Sequence, residues 1–328
     1  MNITFFGTKP YDRMWFEEMG KQYGFPIRFF EVNLSEETVA LAQGADAICV
    51  FVNDDVNGKV IAQLAEFGVK TILLRCAGFN QVDLKTAQKH DIKVLRVPGY
   101  SPEAVAEFSM GLLLAVNRQI PRAYVRTRMF NMNIHGLMGH DLKNRTVGII
   151  GTGKIGQAMI QICKGFGMRI LAYDIYPVDG LDVEYVSLDE LFERSDVISL
   201  HCPLTKDNYH MIDRRTLKKM KDGVYIINTS RGALIDAKAL VEALRLPGKI
   251  GGVALDVYEE EGGIFYEDKS NDIVDDDTLA RLLMFPNVLI TSHQGYFTME
   301  AMQAIAIETM ENAYAVKQGN PCPNEVTL

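Results

Sequence analysis

Three glycines recur at close spacing in the segment Gly151-Thr152-Gly153-Lys154-Ile155-Gly156. The segment follows an apolar run at 147–150 and precedes a helical pattern at 157–166, so it would join a buried strand to a helix. In such a turn the first glycine permits a tight bend, the second lets the backbone approach a pyrophosphate, and the third lets the helix pack closely on the strand. The helix N-terminus attracts the phosphates. The pattern therefore predicts a dinucleotide site.

An acidic residue ends the next strand of this unit. The run at 169–173 is followed by Asp174, about 20 residues beyond the glycine turn, as the dinucleotide pattern requires. A carboxylate at this position accepts hydrogen bonds from the adenosine ribose and repels a 2′-phosphate, so we expect NAD and not NADP. A structural glycine turn with a surface aspartate is the alternative. The complete strand, turn, helix and strand favour the cofactor.

Arg231 is a candidate for binding an anionic substrate. It follows the apolar run at 224–228, and ligands of open α/β sheets bind at the carboxyl ends of the strands. Hydride transfer to a carbonyl requires a proton donor and a group that holds the substrate anion. The planar guanidinium suits two-point capture of a carboxylate. On position alone, a solvated surface arginine is an equal alternative.

Histidines are the candidates for proton transfer. His293 follows the run at 288–291 and so also lies at a strand end, while His201 and His210 are rivals, of which His201 likewise ends a strand. A single histidine is more often structural than catalytic. No two histidines have the spacing of a zinc motif, so we expect no metal.

Three consecutive carboxylates, Glu259, Glu260 and Glu261, follow the strand predicted at 252–255. Acidic runs usually form a solvated face. One of these carboxylates could instead raise the pKa of a nearby imidazole and keep it protonated for carbonyl reduction. The spacing does not choose among them.

The elements that must position these residues are short apolar runs alternating with amphipathic stretches. One series of predicted strands lies at 3–6, 27–31, 47–50, 71–74 and 93–95, and a second at 147–150, 169–173, 197–200, 224–228, 252–255 and 288–291. Continuous apolar runs bounded by glycine are typical of parallel strands that helices cover on both faces. We therefore expect two doubly wound α/β domains, linked by a long helix at 102–128 and followed by a helix at 298–317.

Composition limits the class of protein. The 328 residues are 48% hydrophobic, enough for two domains with sizeable cores, and the net charge of −8 argues against a nucleic-acid partner. Five scattered cysteines indicate free thiols in a reducing compartment. The first residues lack the pattern of a secretory signal, and no apolar stretch is long enough to span a bilayer. We expect a cytoplasmic protein without a membrane partner.

Seven segments together resemble the D-isomer-specific 2-hydroxyacid dehydrogenases, and within that family the fermentative enzymes of bacteria that act on D-lactate. They lie at 75–80, 97–107, 151–156, 196–205, 228–236, 256–261 and 291–293. The resemblance implies that Arg231 is the catalytic arginine, Glu261 the catalytic glutamate and His293 the catalytic histidine.

The resemblance also implies binding positions. Asp256 would contact the nicotinamide amide, and the backbone of Cys76, Ala77 and Gly78 would hold the substrate carboxylate together with Arg231. Tyr100 and Tyr296 would line the pocket for the substrate side chain. Further cofactor contacts, beyond the glycine turn and Asp174, would come from Ile155, Cys202, Pro203, Asn208, Thr229, Ser230 and Arg231.

The implied fold is a Rossmann NAD domain at 101–297 and a flavodoxin-like substrate domain formed by 1–100 with 298–328, with the active site in the cleft between them. The implied reaction is reduction of pyruvate to D-lactate by NADH. A dehydrogenase of larger 2-keto acids is the alternative, and an NAD-sensing binding protein is the alternative from another class. We expect a homodimer or homotetramer, in which the stretch at 108–116 with Ile120 and Tyr124 forms either a two-fold interface or core.

Overall fold

A computed structural model describes residues 1–327. The chain forms two compact units, one made of Met1–Ser101 with Phe297–Leu328 and the other of Pro102–Tyr296. Each contains one parallel β-sheet covered by helices. The prediction of two doubly wound α/β domains is confirmed.

The first unit has a five-stranded sheet in the order β2-β1-β3-β4-β5, the flavodoxin-like order. Its elements are β1 (Ile3–Phe5), α1 (Pro10–Tyr23), β2 (Ile27–Phe29), β3 (Ala47–Val50), α2 (Gly58–Glu66), β4 (Thr71–Leu74), α3 (Leu84–Lys89) and β5 (Lys93–Leu95). The last helix of the chain, Met299–Lys317, packs on α1 and β4. The tail after it returns to the sheet, where the Val326 N–H donates to the Val94 carbonyl at 2.8 Å.

The second unit has seven strands in the order β12-β11-β10-β9-β6-β7-β8. Its elements are α4 (Pro102–Asn117), α5 (Ile120–Arg128), β6 (Thr146–Ile150), α6 (Lys154–Gly165), β7 (Arg169–Tyr173), β8 (Glu184–Tyr185), α7 (Leu188–Arg194), β9 (Val197–Leu200), α8 (Arg214–Lys219), β10 (Val224–Asn228), α9 (Ala237–Leu244), β11 (Ile250–Leu255), α10 (Asp277–Met284) and β12 (Val288–Ile290), and the C-terminal helix described above is α11. The β6–β9 pair lies at the centre of the sheet. From it, β7 and β8 extend the sheet to one side, and β10, β11 and β12 extend it to the other. This is the switch point at which a Rossmann sheet binds its ligand.

Apolar side chains cover both faces of the seven-stranded sheet. On one face Met110 and Leu113 of α4 pack with Met159 and Ile160 of α6, and all four are buried. The other face carries a second cluster that includes Phe192, Leu217 and Leu240 from three further helices. Burial on both faces explains why the strands read as continuous apolar runs.

The predicted helix at 102–128 is in fact two helices. It breaks after Asn117, and Gln119 adopts a left-handed backbone conformation with φ of 52°. Pro121 is the physical reason, since it lacks the N–H that would bond to the Asn117 carbonyl and its ring crowds that carbonyl. The Asn117 side chain instead bonds the His140 backbone, accepting from its N–H at 2.9 Å and donating to its carbonyl at 2.7 Å.

Candidate active site

The glycine turn lies directly after β6, at the switch point. Gly151 has φ of 98°, and a Cβ added there would lie 2.5 Å from the carbonyl oxygen of His201, which follows β9. A Cβ on Gly156 would collide with the Gly151 carbonyl. Neither position can take a side chain, because the two strand ends and the start of α6 meet here.

Gly153 differs from these two glycines. It caps α6 with φ of −65°, and a Cβ added there would meet no heavy atom within 4 Å. The helix begins at Lys154, three residues earlier than predicted, so its first N–H groups belong to the turn itself. Open space in front of a helix N-terminus fits a dinucleotide pyrophosphate.

Asp174 is fixed beside this turn. Its Oδ2 accepts from the Thr152 N–H at 2.6 Å and from the Thr152 hydroxyl at 3.1 Å. Its Oδ1 accepts from the Tyr176 N–H at 2.9 Å, and the Tyr185 hydroxyl donates to the Thr152 Oγ1 at 3.0 Å. A carboxylate can accept further bonds, so this geometry leaves room for ribose hydroxyls. No sequence pattern indicated that Thr152 and Tyr185 would hold this carboxylate in place.

Side chains after β9 and β10 shape the neighbouring loops. Asn208 donates to the Pro203 carbonyl at 2.8 Å and accepts from the Thr205 N–H at 2.7 Å, which closes the loop that carries Cys202. After β10, the Ser230 hydroxyl donates to the Leu200 carbonyl at 2.8 Å. Of the other predicted cofactor positions, Lys154 and Ile155 lie in the first turn of α6, and Thr229 shares a 2.8 Å hydrogen bond with Ser109.

His201 is excluded as a proton donor near neutral pH. Its Nε2 lies 2.8 Å from the Ser199 hydroxyl, while its Nδ1 is buried without a hydrogen-bond partner in the described part of the chain. Burial lowers the pKa of the imidazole to about 4, so the ring is neutral.

Arg231 follows β10 and is partly buried. Its Nη1 donates to the Ser230 carbonyl at 2.7 Å, and the Asn228 amide donates to the Arg231 carbonyl at 2.8 Å. A Cβ on Gly232 would collide with the backbone of Tyr258 and Glu259. The arginine is therefore held next to the loop that follows β11.

His293 and Glu261 form a pair after β12 and β11. Nδ1 of His293 lies 3.0 Å from Oε1 of Glu261, and the two side chains are 19% and 25% exposed. Glu261 also accepts from the Tyr258 N–H at 3.1 Å. This arrangement leaves Nε2 of the imidazole for another partner. Arg231, Glu261 and His293 thus follow three adjacent strands of one sheet.

The backbone of His293 has the left-handed conformation, with φ of 55°. Three contacts hold it: its N–H donates to the Asp256 carbonyl at 2.7 Å, the Tyr266 hydroxyl donates to its carbonyl at 2.9 Å, and its ring pairs with Glu261. A positive φ is uncommon for residues other than glycine, and asparagine, aspartate and histidine are the most frequent exceptions.

Asp256 braces the same segment. The carboxylate accepts from the Thr291 hydroxyl at 2.6 Å and from the N–H groups of Gln294 and Gly295 at 2.9 and 2.8 Å. Burial raises the pKa of this carboxyl, against the hydrogen bonds that lower it. The residue is 1% exposed, so its predicted contact with the nicotinamide stays a prediction.

A second histidine–glutamate pair joins the same loop, through Glu259, to the segment between β9 and α8. Nε2 of His210 lies 2.9 Å from both carboxylate oxygens of Glu259, which also accepts from the Tyr209 hydroxyl at 2.6 Å. Glu260, between the two paired glutamates, is exposed. Distance alone does not distinguish His210 from His293.

In the first unit, the predicted substrate loop follows β4. The Ala77 carbonyl accepts from Arg96 at 3.1 Å and the Gly78 carbonyl accepts from the Cys76 thiol at 3.2 Å. The N–H groups of Ala77 and Gly78 have no protein acceptor within residues 1–327. Two adjacent unbonded donors at a strand end suit a carboxylate.

Comparison with known proteins identifies the family. The family model described as D-isomer specific 2-hydroxyacid dehydrogenase, NAD binding domain, matches residues 110–295. This chain belongs to the D-isomer-specific 2-hydroxyacid dehydrogenases. The matched residues fall within the second unit, which is the NAD-binding domain, so the predicted family and cofactor are confirmed.

Individual relatives match this dehydrogenase along its whole length. D-lactate dehydrogenase of Escherichia coli K12 is 50% identical, over 99% of this chain and 100% of the relative. A solved apo-structure of the Escherichia coli enzyme has a TM-score of 0.91 at 47% identity and covers 100% of both chains. The pyruvate reductase of Chlamydomonas reinhardtii has a TM-score of 0.93 at 41% identity, over 99% of this chain and 98% of that one.

No helix within residues 1–327 of the dehydrogenase has the length and hydropathy needed to cross a membrane. In the same residues, no group of three or more His, Cys, Asp or Glu side chains is arranged to hold a metal ion.

Proposed function

We propose that this dehydrogenase reduces pyruvate to D-lactate with NADH. The observation that carries the proposal is the 3.0 Å pair of His293 and Glu261. Glu261 follows β11, which lies between the strand before His293 and the strand before Arg231. A proton donor, its carboxylate partner and a cation are what reduction of an anionic keto acid requires. Relatives named D-lactate dehydrogenase and pyruvate reductase support pyruvate as the substrate.

In the proposed mechanism His293 acts as the general acid. Glu261 on Nδ1 fixes the orientation of the ring and stabilises its protonated form, so Nε2 carries the proton toward the keto oxygen. Arg231 binds the substrate carboxylate and polarises the carbonyl. NADH, when bound at the switch point, would supply the hydride for this reduction.

The residues that would hold NAD lie around the switch point. We assign the pyrophosphate to Gly151, Gly153 and Gly156 with the first turn of α6, and the adenosine ribose to Asp174. The remaining assigned contacts are Lys154, Ile155, Cys202, Pro203, Asn208, Thr229, Ser230, Arg231 and Asp256.

The substrate carboxylate is assigned to the loop of the first unit. The unbonded N–H groups of Ala77 and Gly78 support this, with Cys76 holding the Gly78 carbonyl. Tyr100 and Tyr296 are assigned to the side-chain pocket and favour a methyl group. A larger 2-keto acid is the second candidate, because a pocket rejects one extra methylene by only about 1–3 kcal/mol.

We assign substrate binding to residues 1–100 with 298–328 and cofactor binding to 101–297, in a cytoplasmic homodimer or homotetramer. In the stretch 108–116 most side chains are buried in the core of the second unit. By contrast, Ile120 and Tyr124 are exposed, and so are Phe130 (89%), Ile134 (81%) and Met138 (94%). This apolar surface supports an oligomer formed through α5 and the segment after it.

The test is a panel of 2-keto acids with NADH, read as kcat/KM with chiral analysis of the product. We expect pyruvate to be preferred and the product to be D-lactate. Preference for a branched or aromatic keto acid would contradict pyruvate as the substrate and support a larger 2-keto acid instead.

Variants of the pair test the mechanism. His293→Asn keeps a residue that tolerates φ of 55°, and we expect kcat to fall by a factor of about 10²–10⁴. Glu261→Gln should displace the pH–rate profile because the protonated imidazole loses its carboxylate. Near-normal turnover by His293→Asn would contradict the assignment.

A further inference from the structure

The loop at 258–261 is held from two sides by alternating glutamates. Glu261 pairs with His293, at 3.0 Å, whereas Glu259 pairs with His210, at 2.9 Å. The Tyr209 hydroxyl donates to Glu259 at 2.6 Å, and the rings of Tyr209 and His210 stack with centroids 4.0 Å apart. The proposed mechanism uses only the Glu261 side.

The segment that carries Tyr209 and His210 is fixed to the turn after Arg231. The His210 N–H donates to the Ala233 carbonyl at 2.9 Å, and the Ile212 N–H donates to the Leu234 carbonyl at 3.0 Å. The backbone at 258–259 also packs against Gly232 without room for a Cβ. The contacts of Glu259 therefore join the turn after Arg231 to the loop that carries Glu261.

We propose that Tyr209, His210 and Glu259 form a positioning cluster that sets Glu261 against His293 and Arg231 beside them. None of the three is assigned a contact with substrate or cofactor. The proposal rests on the proposed function, because it assigns these residues to the geometry of the same reaction.

The loop that carries Glu261 has no regular secondary structure to hold it. Residues 256–262 form no helix or strand, so the regular hydrogen bonds of the sheet do not fix Glu261. Charge-assisted hydrogen bonds are shorter and stronger than neutral ones, and Glu259 has close donors on two side chains. A misplacement of about 1 Å in a catalytic group can cost about 10²-fold in rate. Holding Glu259 in place therefore has a measurable effect two residues away.

Glu260 provides a matched control. It lies in the same loop and carries the same charge, but its side chain is exposed. Glu259→Ala and Glu260→Ala remove equal charge, and only the first removes the contacts with Tyr209 and His210. Two further variants keep the charge of the loop: Tyr209→Phe removes one hydroxyl, and His210→Asn suits the left-handed backbone at that position, where φ is 52°.

Kinetics give the first readout. We expect Glu259→Ala to lower kcat for pyruvate reduction about tenfold, Tyr209→Phe and His210→Asn to lower it severalfold, and Glu260→Ala to change it less than twofold. The Kd of NADH, measured by fluorescence, should stay within about twofold of the wild type in all four, because none of the four substituted side chains is assigned a contact with the cofactor. Equal kcat in Glu259→Ala and Glu260→Ala would overturn the proposal, as would unchanged kcat in both Tyr209→Phe and His210→Asn.

The NMR signals of the His293 ring give a readout that needs no substrate. Glu260→Ala controls for the loss of charge alone, because Glu260 lies in the same loop but is exposed. We expect Glu259→Ala and His210→Asn to move the His293 ring resonances toward their positions in Glu261→Gln, since a loosened loop weakens the pairing with Glu261. Equal movement in Glu260→Ala would overturn the proposal. If the wild type fails to reduce any keto acid, the proposed function fails, and this NMR comparison still tests the cluster.

Discussion

Replacing Gly153 by alanine should separate cofactor binding from folding. The backbone there has φ of −65°, which any residue adopts, and the added methyl group would meet no protein atom within 4 Å. Alanine caps a helix less well than glycine, which destabilises the folded protein, but it also restricts the unfolded chain, which stabilises the folded protein. Each effect amounts to about 0.5–1 kcal/mol, and the two oppose each other. We therefore expect the free energy of unfolding to change by less than about 1 kcal/mol.

In the NAD complex the methyl group would occupy the space assigned to the pyrophosphate. A loss of about 1.4–2.8 kcal/mol in binding free energy corresponds to a 10–100-fold higher Kd. NADH fluorescence titration measures the Kd, and urea denaturation measures the folding term. Gly165→Ala is the matched control, since Gly165 also lies in α6 with nothing within 4 Å, and it should leave the Kd unchanged.

A third glycine variant calibrates the comparison. Gly151 has φ of 98° and no room beside the His201 carbonyl, so Gly151→Ala should lower stability as well as affinity. A Gly153→Ala protein that binds NADH as tightly as the wild type would refute the placement of the pyrophosphate at this turn.

Three further variants probe charge. Asp174→Ala should raise the ratio of kcat/KM for NADPH over NADH about tenfold or more, because a carboxylate no longer faces the 2′-phosphate; initial rates with both cofactors measure it. Arg75→Met removes a buried cation whose Nε lies 3.7 Å from Asp12. Because Asp12 is left as an unpaired buried charge, the free energy of unfolding, measured in urea, should fall by about 3–5 kcal/mol, and a fall of less than about 1 kcal/mol would contradict this expectation. The pKa of His201 is about 4 in the folded protein and 6.5 in the unfolded chain. Between pH 6.5 and pH 4 the unfolded state therefore binds more protons, and the free energy of unfolding falls as the pH is lowered through this range. When the pH is lowered from 7 to 4.5, the free energy of unfolding should therefore fall by about 2 kcal/mol less in His201→Gln than in the wild type, as measured by urea denaturation at both pH values.

The strands could be predicted from the sequence because parallel strands buried on both faces require continuous apolar runs. The strand β8 (Glu184–Tyr185) could not, since it has two residues, lies at the sheet edge and carries a polar side chain. The break after Asn117 was readable in principle from Pro121, but the apolar residues on both sides of it give an uninterrupted helical pattern.

The sequence predicted where the candidate site residues lie in the sheet better than which histidine pairs with which glutamate. Strand ends of a parallel sheet lie at one edge, so Arg231 and His293 could be selected from their place in the sequence. Which glutamate pairs with which histidine depends on the path of the irregular loop after β11, for which local patterns give no rule. The family motif supplied Glu261, and nothing in the sequence indicated that Glu259 pairs with His210.

The left-handed backbone of His293 has a consequence for protein engineering and for evolution. Glycine is the residue that this conformation favours most, so His293→Gly would relieve local strain of the order of 1 kcal/mol. A redesign that optimises only the free energy of unfolding would therefore select this substitution, although it removes the proposed proton donor. Selection for turnover opposes it at every generation, and a lineage that no longer needs the reaction should drift toward glycine or asparagine at this codon.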